Sequence, residues 1–174
     1  KWYIILKLKG GILMYHAEDI AIYIVNYCNK KRMDITNLKL QKLLYFIQGG
    51  FFIMFDEPCF QEDIQCWQYG HVVASVYSSF RKYGSGPIPE IKTIEEYDFN
   101  TQEFINKDWD FSFKVGSHET VINVILEDLA KLSAYELVDI THRQHPWKDN
   151  YEPYHRNVIP NEEMRSFFRR KLDE

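Results

Sequence analysis

The sequence predicts a mainly α-helical fold: a compact single-domain bundle of about six helices with at most a short β-hairpin. Three observations predict this class. Apolar residues recur at helical spacing in several segments, capping residues precede some of those segments, and only short stretches alternate as strands do. The chain has 174 residues, of which 45% are apolar and 16% aromatic, so it is long enough to bury the core of one domain.

The first thirteen residues are treated separately from the rest of the chain. Their apolar run, residues 2–6, is too short for the apolar region of a signal peptide. Residues 9–11 can be encoded by a ribosome-binding sequence, and Met14 follows closely. We therefore expect residues 1–13 to be a translated leader or a disordered extension, and residues 14–174 to form a single domain.

Two helices are predicted in the N-terminal third. The first covers about residues 17–31, and Thr36 can cap the second because its hydroxyl accepts a hydrogen bond from a free backbone N–H. The second helix carries a core-facing stripe at i, i+3, i+4 and i+7, formed by Leu40, Leu43, Leu44 and Ile47. Lys39 and Lys42 do not share that stripe, so we expect them to be exposed to solvent. Gly49-Gly50 would allow close packing against a neighbouring helix.

The middle of the chain gives weaker signals. Residues 64–68 alternate as a short extended segment does, Gly70 marks a turn, and helical spacing returns over residues 73–83. Residues 88–115 are the least decisive region. The alternation of Phe111 and Phe113 there permits one short strand.

Three further helices are predicted toward the C-terminus. Ser117 can cap the first, and Ser133 with Glu136 forms a capping box that opens the second. We expect Pro146 to terminate that second helix. The last helix is expected to begin near Pro160 and to bury Met164, Phe167 and Phe168.

Charge and cysteine content limit the possible partners and compartment. The formal net charge of −4 argues against general affinity for nucleic acid or an anionic membrane. The three cysteines are odd in number and lack paired metal-type spacing, so we expect reduced, buried thiols.

The apolar run over residues 43–55 is interrupted by Gln48, Gly49 and Gly50 and is too short for a membrane span. We expect a soluble, cytoplasmic protein with no membrane partner.

The sequence contains no complete catalytic constellation. His142 and His145 are three residues apart and could share a metal with His155 or Asp139, but structural histidines at a helix end fit better. The aromatic residues Trp67, Tyr69, Tyr77 and Tyr83 fit either a stacking platform for bases or a set of core and interface anchors, and we favour the second. We therefore predict a protein that is not an enzyme, with no catalytic, cofactor-binding or metal-binding residue.

Three ordered segments carry a family resemblance. They are LKLQKLLYFIQG (38–49), FQEDIQCWQYGHVVASVY (60–77) and LVDITHRQHPW (137–147). Together they resemble the Panacea antitoxin domain, also called the SocA-like or GepA-like domain of phage-associated proteins, formerly a domain of unknown function. The residues that match its motifs are Lys42, Leu43, Tyr45, Trp67, Tyr69, Gly70, Val72, Val73, Val76, Tyr77, Leu137, Thr141, His142, Pro146 and Trp147.

The resemblance implies an antitoxin of a bacterial or phage toxin–antitoxin system. Such a protein neutralises a cognate toxin, encoded by an adjacent gene, through direct protein–protein binding. Two alternatives are open: an adaptor that delivers a partner to a protease–chaperone machine, and a metal- or DNA-binding regulator built around His142 and His145. The chain departs from the motif at His71, where the family commonly has proline, and we expect a looser turn there. The matching residues are structural or interface residues.

Overall fold

The computed structural model describes residues 14–170, so the predicted leader lies outside the described residues. Within that range the α-helices are α1 (Ala17–Lys30), α2 (Asn37–Phe55), α3 (Ala74–Phe80), α4 (Gly116–Leu129), α5 (Ala134–His142), α6 (His145–Lys148) and α7 (Asn161–Arg170). A 3₁₀ turn, Arg81–Tyr83, continues α3. The strands form two separate antiparallel hairpins, β1 (Ile64–Trp67) with β2 (Gly70–Val73) and β3 (Thr93–Asp98) with β4 (Glu103–Asp108).

The mainly α-helical class is confirmed, with differences in detail. The described residues form seven α-helices rather than about six, and two hairpins rather than at most one. The sequence does not predict the β3–β4 hairpin, because almost all of its residues are exposed and no apolar alternation marks a buried face.

Helix α2 is the centre of the fold. Helices α1, α3, α4, α5 and α7 and strand β2 all pack against it. Its buried residues lie on every side of the helix, as expected for a helix in the interior of a protein. The Thr36 hydroxyl accepts a hydrogen bond from the backbone N–H of Lys39 at 3.3 Å, which confirms the predicted cap. The helix ends at Phe55, and the residue after it, Asp56, has a left-handed φ of 59°.

The pair Gly49-Gly50 allows two helices to approach α2 closely. A Cβ at Gly49 would overlap the ring of Phe168 in α7, and a Cβ at Gly50 would overlap the side chain of Ile125 in α4. The predicted close packing is confirmed. The absence of side chains at these two positions therefore sets the distance between α2 and its neighbours.

Three local predictions are wrong. No strand forms at Phe111 and Phe113; instead both rings pack edge-on against Tyr15, at 5.7 and 5.5 Å between centroids. Ser117 lies inside α4, because the helix begins at Gly116 and Val115 occupies the cap position, two residues earlier than predicted. Pro146 does not end α5 but lies in the first turn of α6. The lack of an N–H costs nothing there, because N–H groups in the first turn have no partner within the helix.

The predictions for the second and third of the C-terminal helices and for the cysteines are otherwise confirmed. Ser133 and Glu136 form the reciprocal capping box at the start of α5. Helix α7 begins at Asn161 and buries its three predicted apolar residues, Met164, Phe167 and Phe168. The three cysteines are free and buried. Among the residues that the structure describes, no helix is both long and apolar enough to cross a membrane.

Replacing Gly49 by alanine should destabilise the protein. The new methyl group would overlap the Phe168 ring, and overpacking of this kind costs about 1–3 kcal/mol. Urea denaturation should show this loss for Gly49→Ala. The matched control is Gly116→Ala, since a Cβ at Gly116 meets nothing within 4 Å and should leave the free energy of unfolding unchanged or slightly raised. Equal effects of the two substitutions would contradict the packing described here.

Candidate functional site

Residues from the three sequence motifs meet in one largely buried cluster. Helix α2, the β1–β2 hairpin and the segment formed by α5, α6 and their connection each contribute side chains, although they are far apart in the chain. We call this set the motif cluster; its members are Lys42, Tyr45, Cys66, Trp67, Gly70, His71, Thr141, His142, Gln144, Pro146 and Trp147.

Lys42 lies at the centre of the motif cluster. Its side chain is 0% exposed, and its Nζ donates a hydrogen bond to the backbone carbonyl of His71 at 2.8 Å. Burial lowers the pKa of Lys42 to about 7. The ammonium is therefore held by a carbonyl oxygen inside the protein, and it loses its proton near neutral pH.

The prediction that Lys39 and Lys42 are exposed to solvent is wrong. Lys39 is 6% exposed, and its Nζ donates to the carbonyls of Asp34 at 3.0 Å and Ala130 at 2.6 Å. The helical pattern assigns one buried face to α2, whereas neighbouring elements cover the other faces too. A lysine on such a helix has to find a partner inside the protein.

Gly70 makes room for Lys42. Its φ of 96° is a conformation that residues with a side chain rarely adopt. A Cβ at this position would also lie 2.9 Å from Lys42 Nζ and 3.1 Å from Thr141 Oγ1. Glycine is thus required at the tip of the β1–β2 hairpin both for the turn and for the space that the lysine occupies. The turn Trp67–Gly70 joins β1 to β2, and the three remaining residues of β2 separate this turn from α3.

His71 is a member of the cluster that the sequence motifs do not include. Its ring stacks on Tyr45 with centroids 3.6 Å apart and planes at 14°. Neither ring nitrogen has a hydrogen-bond partner among the described residues. Burial lowers the pKa of His71 well below its usual value, and Lys42 and His142 lower it further. The ring is therefore neutral and acts as a flat, packed side chain.

The hydroxyl of Tyr45 connects α2 to the α5–α6 connection. It donates a hydrogen bond to Gln144 Oε1 at 2.7 Å. Burial raises the pKa of this hydroxyl well above its usual value, so it stays a hydrogen-bond donor. Gln144 is absent from the predicted residues, because a lone glutamine in a connection carries no periodic signal.

A second set of contacts holds α6 against the β1–β2 hairpin. Trp147 Nε1 donates to the carbonyl of Trp67 at 3.1 Å, and the Cys66 thiol lies 3.7 Å from the carbonyl of Pro146. The Trp147 ring stacks on His142 with centroids 3.9 Å apart and planes at 17°. Burial raises the pKa of Cys66 to about 12, so the thiol is protonated. These contacts fix the hairpin against α6.

The two histidines considered as metal ligands lie in different surroundings. His142 stacks on Trp147, and its Nε2 is buried with no hydrogen-bond partner among the described residues. The His145 side chain is 75% exposed and lies 3.5 Å from Asp149, and His155 lies 3.3 Å from Glu152. Within residues 14–170, no group of three or more histidine, cysteine or carboxylate side chains is placed to hold a metal ion.

The remaining motif residues divide into core and surface. Leu43, Val72, Val73, Val76 and Leu137 are buried. Tyr69 and Tyr77 are 57% and 37% exposed, and the Tyr77 ring lies 4.9 Å from that of Trp67. The Arg156 guanidinium lies over the Trp67 ring, 4.4 Å from its centroid. Most of the motif thus holds the three segments together, and Tyr69 and Tyr77 are its two exposed members.

Replacing Lys42 by methionine should change how stability depends on pH. The pKa of Lys42 is about 7 in the folded protein and about 10.4 in the unfolded chain. Between these values the unfolded state binds more protons, so the lysine makes stability rise with pH. Urea denaturation should show that the free energy of unfolding of wild type rises, relative to that of Lys42→Met, by about 2 kcal/mol between about pH 7 and about pH 8.5.

The matched control for this prediction is Lys131→Met, which removes an exposed lysine and should leave the pH profile of wild type unchanged. A Lys42→Met variant whose stability follows wild type in parallel across the same pH range would contradict a neutral lysine in the core.

Comparison with known proteins gives consistent findings. The family model described as "Antitoxin SocA-like, Panacea domain" matches residues 40–148, a range that contains the whole motif cluster. The chain is 31% identical over 136 residues to antitoxin SocA of Caulobacter vibrioides, which covers 75% of this chain and 68% of that protein. No solved structure matches. The chain belongs to the SocA-like antitoxin family of Panacea-domain proteins.

Proposed function

We propose that this chain is the antitoxin of a bacterial or phage toxin–antitoxin system and neutralises its toxin by direct protein–protein binding. The observation that carries the proposal is the family match, which includes a relative named as an antitoxin. The family also suggests a non-enzymatic role. The cognate toxin is the product of an adjacent gene, and both proteins act in the cytoplasm.

The distribution of apolar residues supports a protein that works through its surface. The motif cluster is directed inward, where Lys42 and His71 are fully buried. Large apolar side chains are nevertheless exposed elsewhere, among them Phe99 at 85% and Phe104 at 67%. Exposed aromatic residues of this kind are typical anchors of protein–protein interfaces. A specific complex would cover about 800 Å² of this surface.

Co-expression tests the proposal. The product of the adjacent gene should arrest growth when it is expressed alone, and co-expression of this chain should restore growth. The two proteins should also co-purify as a complex. Leu43→Asp is a suitable control, because it places a charge at a fully buried position of α2 and should abolish the rescue by unfolding the protein.

The half-life of the toxin separates neutralisation by binding from delivery to a protease. Binding alone leaves the half-life of the toxin unshortened when this chain is present. A shortened half-life would instead favour an adaptor for a protease–chaperone machine. Growth arrest that this chain does not relieve would count against both.

A further inference from the structure

The β3–β4 hairpin is not explained by the motif cluster. Within residues 14–170 its two strands pair only with each other. Every residue of β4 is exposed, and in β3 only Ile94 and Asp98 are partly covered. The hairpin therefore presents most of its surface, and the outer edges of both strands, away from the described core.

The base of the hairpin is firmly attached to α1. The Asn26 side chain donates to the carbonyl of Ile91 and accepts from its N–H, both at 2.8 Å. Across the hairpin base, the N–H of Trp109 donates to the carbonyl of Lys92 at 2.8 Å, and Trp109 Nε1 donates to Asp19 Oδ1 at 3.3 Å. The hairpin is therefore held in a defined position before it meets a partner, which lowers the entropy cost of binding.

Three aromatic rings form a cluster at the tip of the hairpin. Tyr97 and Phe104 face each other in the strand register, with centroids 5.2 Å apart, and Phe99 lies 5.1 Å from Tyr97. Their exposed fractions are 39%, 67% and 85% for Tyr97, Phe104 and Phe99. Aromatic residues exposed together are unfavourable in water and gain free energy when a partner covers them.

The same hairpin carries the excess negative charge of the chain. Residues 93–108 contain five carboxylates and one lysine, a net charge of −4 that equals the formal net charge of the whole chain. The carboxylates are Glu95, Glu96, Asp98, Glu103 and Asp108. The rest of the chain therefore has no net charge, and the charge of the hairpin suits a positively charged partner.

One carboxylate pair is unfavourable in the free protein. Asp98 and Glu103 are directly opposite in the register of the hairpin, and like charges at such positions destabilise a sheet. The backbone N–H of Asn100 donates to Asp98 Oδ1 at 2.8 Å and lowers the pKa of that carboxyl group, so Asp98 stays ionised. A cationic side chain placed between the two carboxylates would remove the repulsion.

We propose that the β3–β4 hairpin is the arm that docks the toxin, and that it fits a basic surface of the toxin with an apolar depression for Phe99 and Phe104. This proposal rests on the proposed function. A second copy of the chain fits this surface less well, because a symmetric dimer would place two hairpins of charge −4 against each other. Nucleic acid is disfavoured by the sign of the charge.

Binding measurements on the full chain test the proposal, with the product of the adjacent gene as the probe. The double variant Phe99→Ser/Phe104→Ser should bind about 100-fold more weakly, since two exposed aromatic anchors are lost. Glu95→Lys/Glu103→Lys should bind at least about tenfold more weakly, and the difference from wild type should grow as the salt concentration falls. Both variants should fail to restore growth in the co-expression assay.

Matched controls exist on other parts of the surface. Tyr135→Ser/Tyr154→Ser removes two exposed aromatic residues, and Glu127→Lys/Asp128→Lys makes the same charge change on α4. Both controls should bind like wild type. Thermal unfolding followed by circular dichroism should give similar midpoints for all four variants, because every substituted side chain is exposed.

The outcomes separate the two proposals. If wild type neutralises the toxin and the hairpin variants bind and neutralise equally well, the docking arm is wrong while the antitoxin function stands. If wild type neither binds nor neutralises the toxin, both proposals fail. A wild-type dimer that becomes monomeric in Phe99→Ser/Phe104→Ser, together with unchanged toxin binding, would assign the hairpin to a second copy instead.

Discussion

The structure depends on one constraint: a 19-residue helix, α2, that other elements cover along almost its whole length. Polar side chains on such a helix cannot reach water, so each needs a partner inside the protein. Gln48 accepts from the backbone N–H groups of Cys59 and Phe60, and Gln41 accepts from that of Val73. Together with Lys42, these side chains hydrogen-bond to the chain segments that wrap around α2. The polar residues of α2 thus fix the positions of the loops and strands around it.

The family motif is best understood as part of this same arrangement. Its residues join α2, the β1–β2 hairpin and the helices α5 and α6 through a buried lysine, stacked rings and backbone carbonyls. A scaffold of this kind specifies the fold while the outer surface can vary. Proteins that share it can therefore differ in the side chains on their surfaces. This division between a fixed interior and a variable exterior suits the antitoxin role proposed above.

The sequence predicts the elements whose local signals agree with their surroundings. The Thr36 cap, the apolar stripe of α2 and the Ser133 capping box are local features, and the structure forms each of them. The positions of Lys42 and His71 depend on distant segments that cover them. The helical pattern therefore places Lys42 in solvent, and the sequence predicts no packing role for His71. The β3–β4 hairpin has the opposite property, since its residues face water and carry no pattern of burial. The motif residues are recognisable in the sequence by resemblance, whereas their convergence depends on how distant segments pack around α2.

The contact between Gly49 and Phe168 has a consequence for synthesis of the protein. Helix α2 is translated early, but the ring that covers its glycine belongs to α7, close to the C-terminal end of the described residues. At about 5–20 residues per second, a ribosome needs on the order of 6–24 s to pass from one to the other. During that interval the nascent chain carries an apolar helix without its final cover, which is a binding site for chaperones. A newly made molecule can therefore complete the packing around Gly49 only after α7 has left the ribosome.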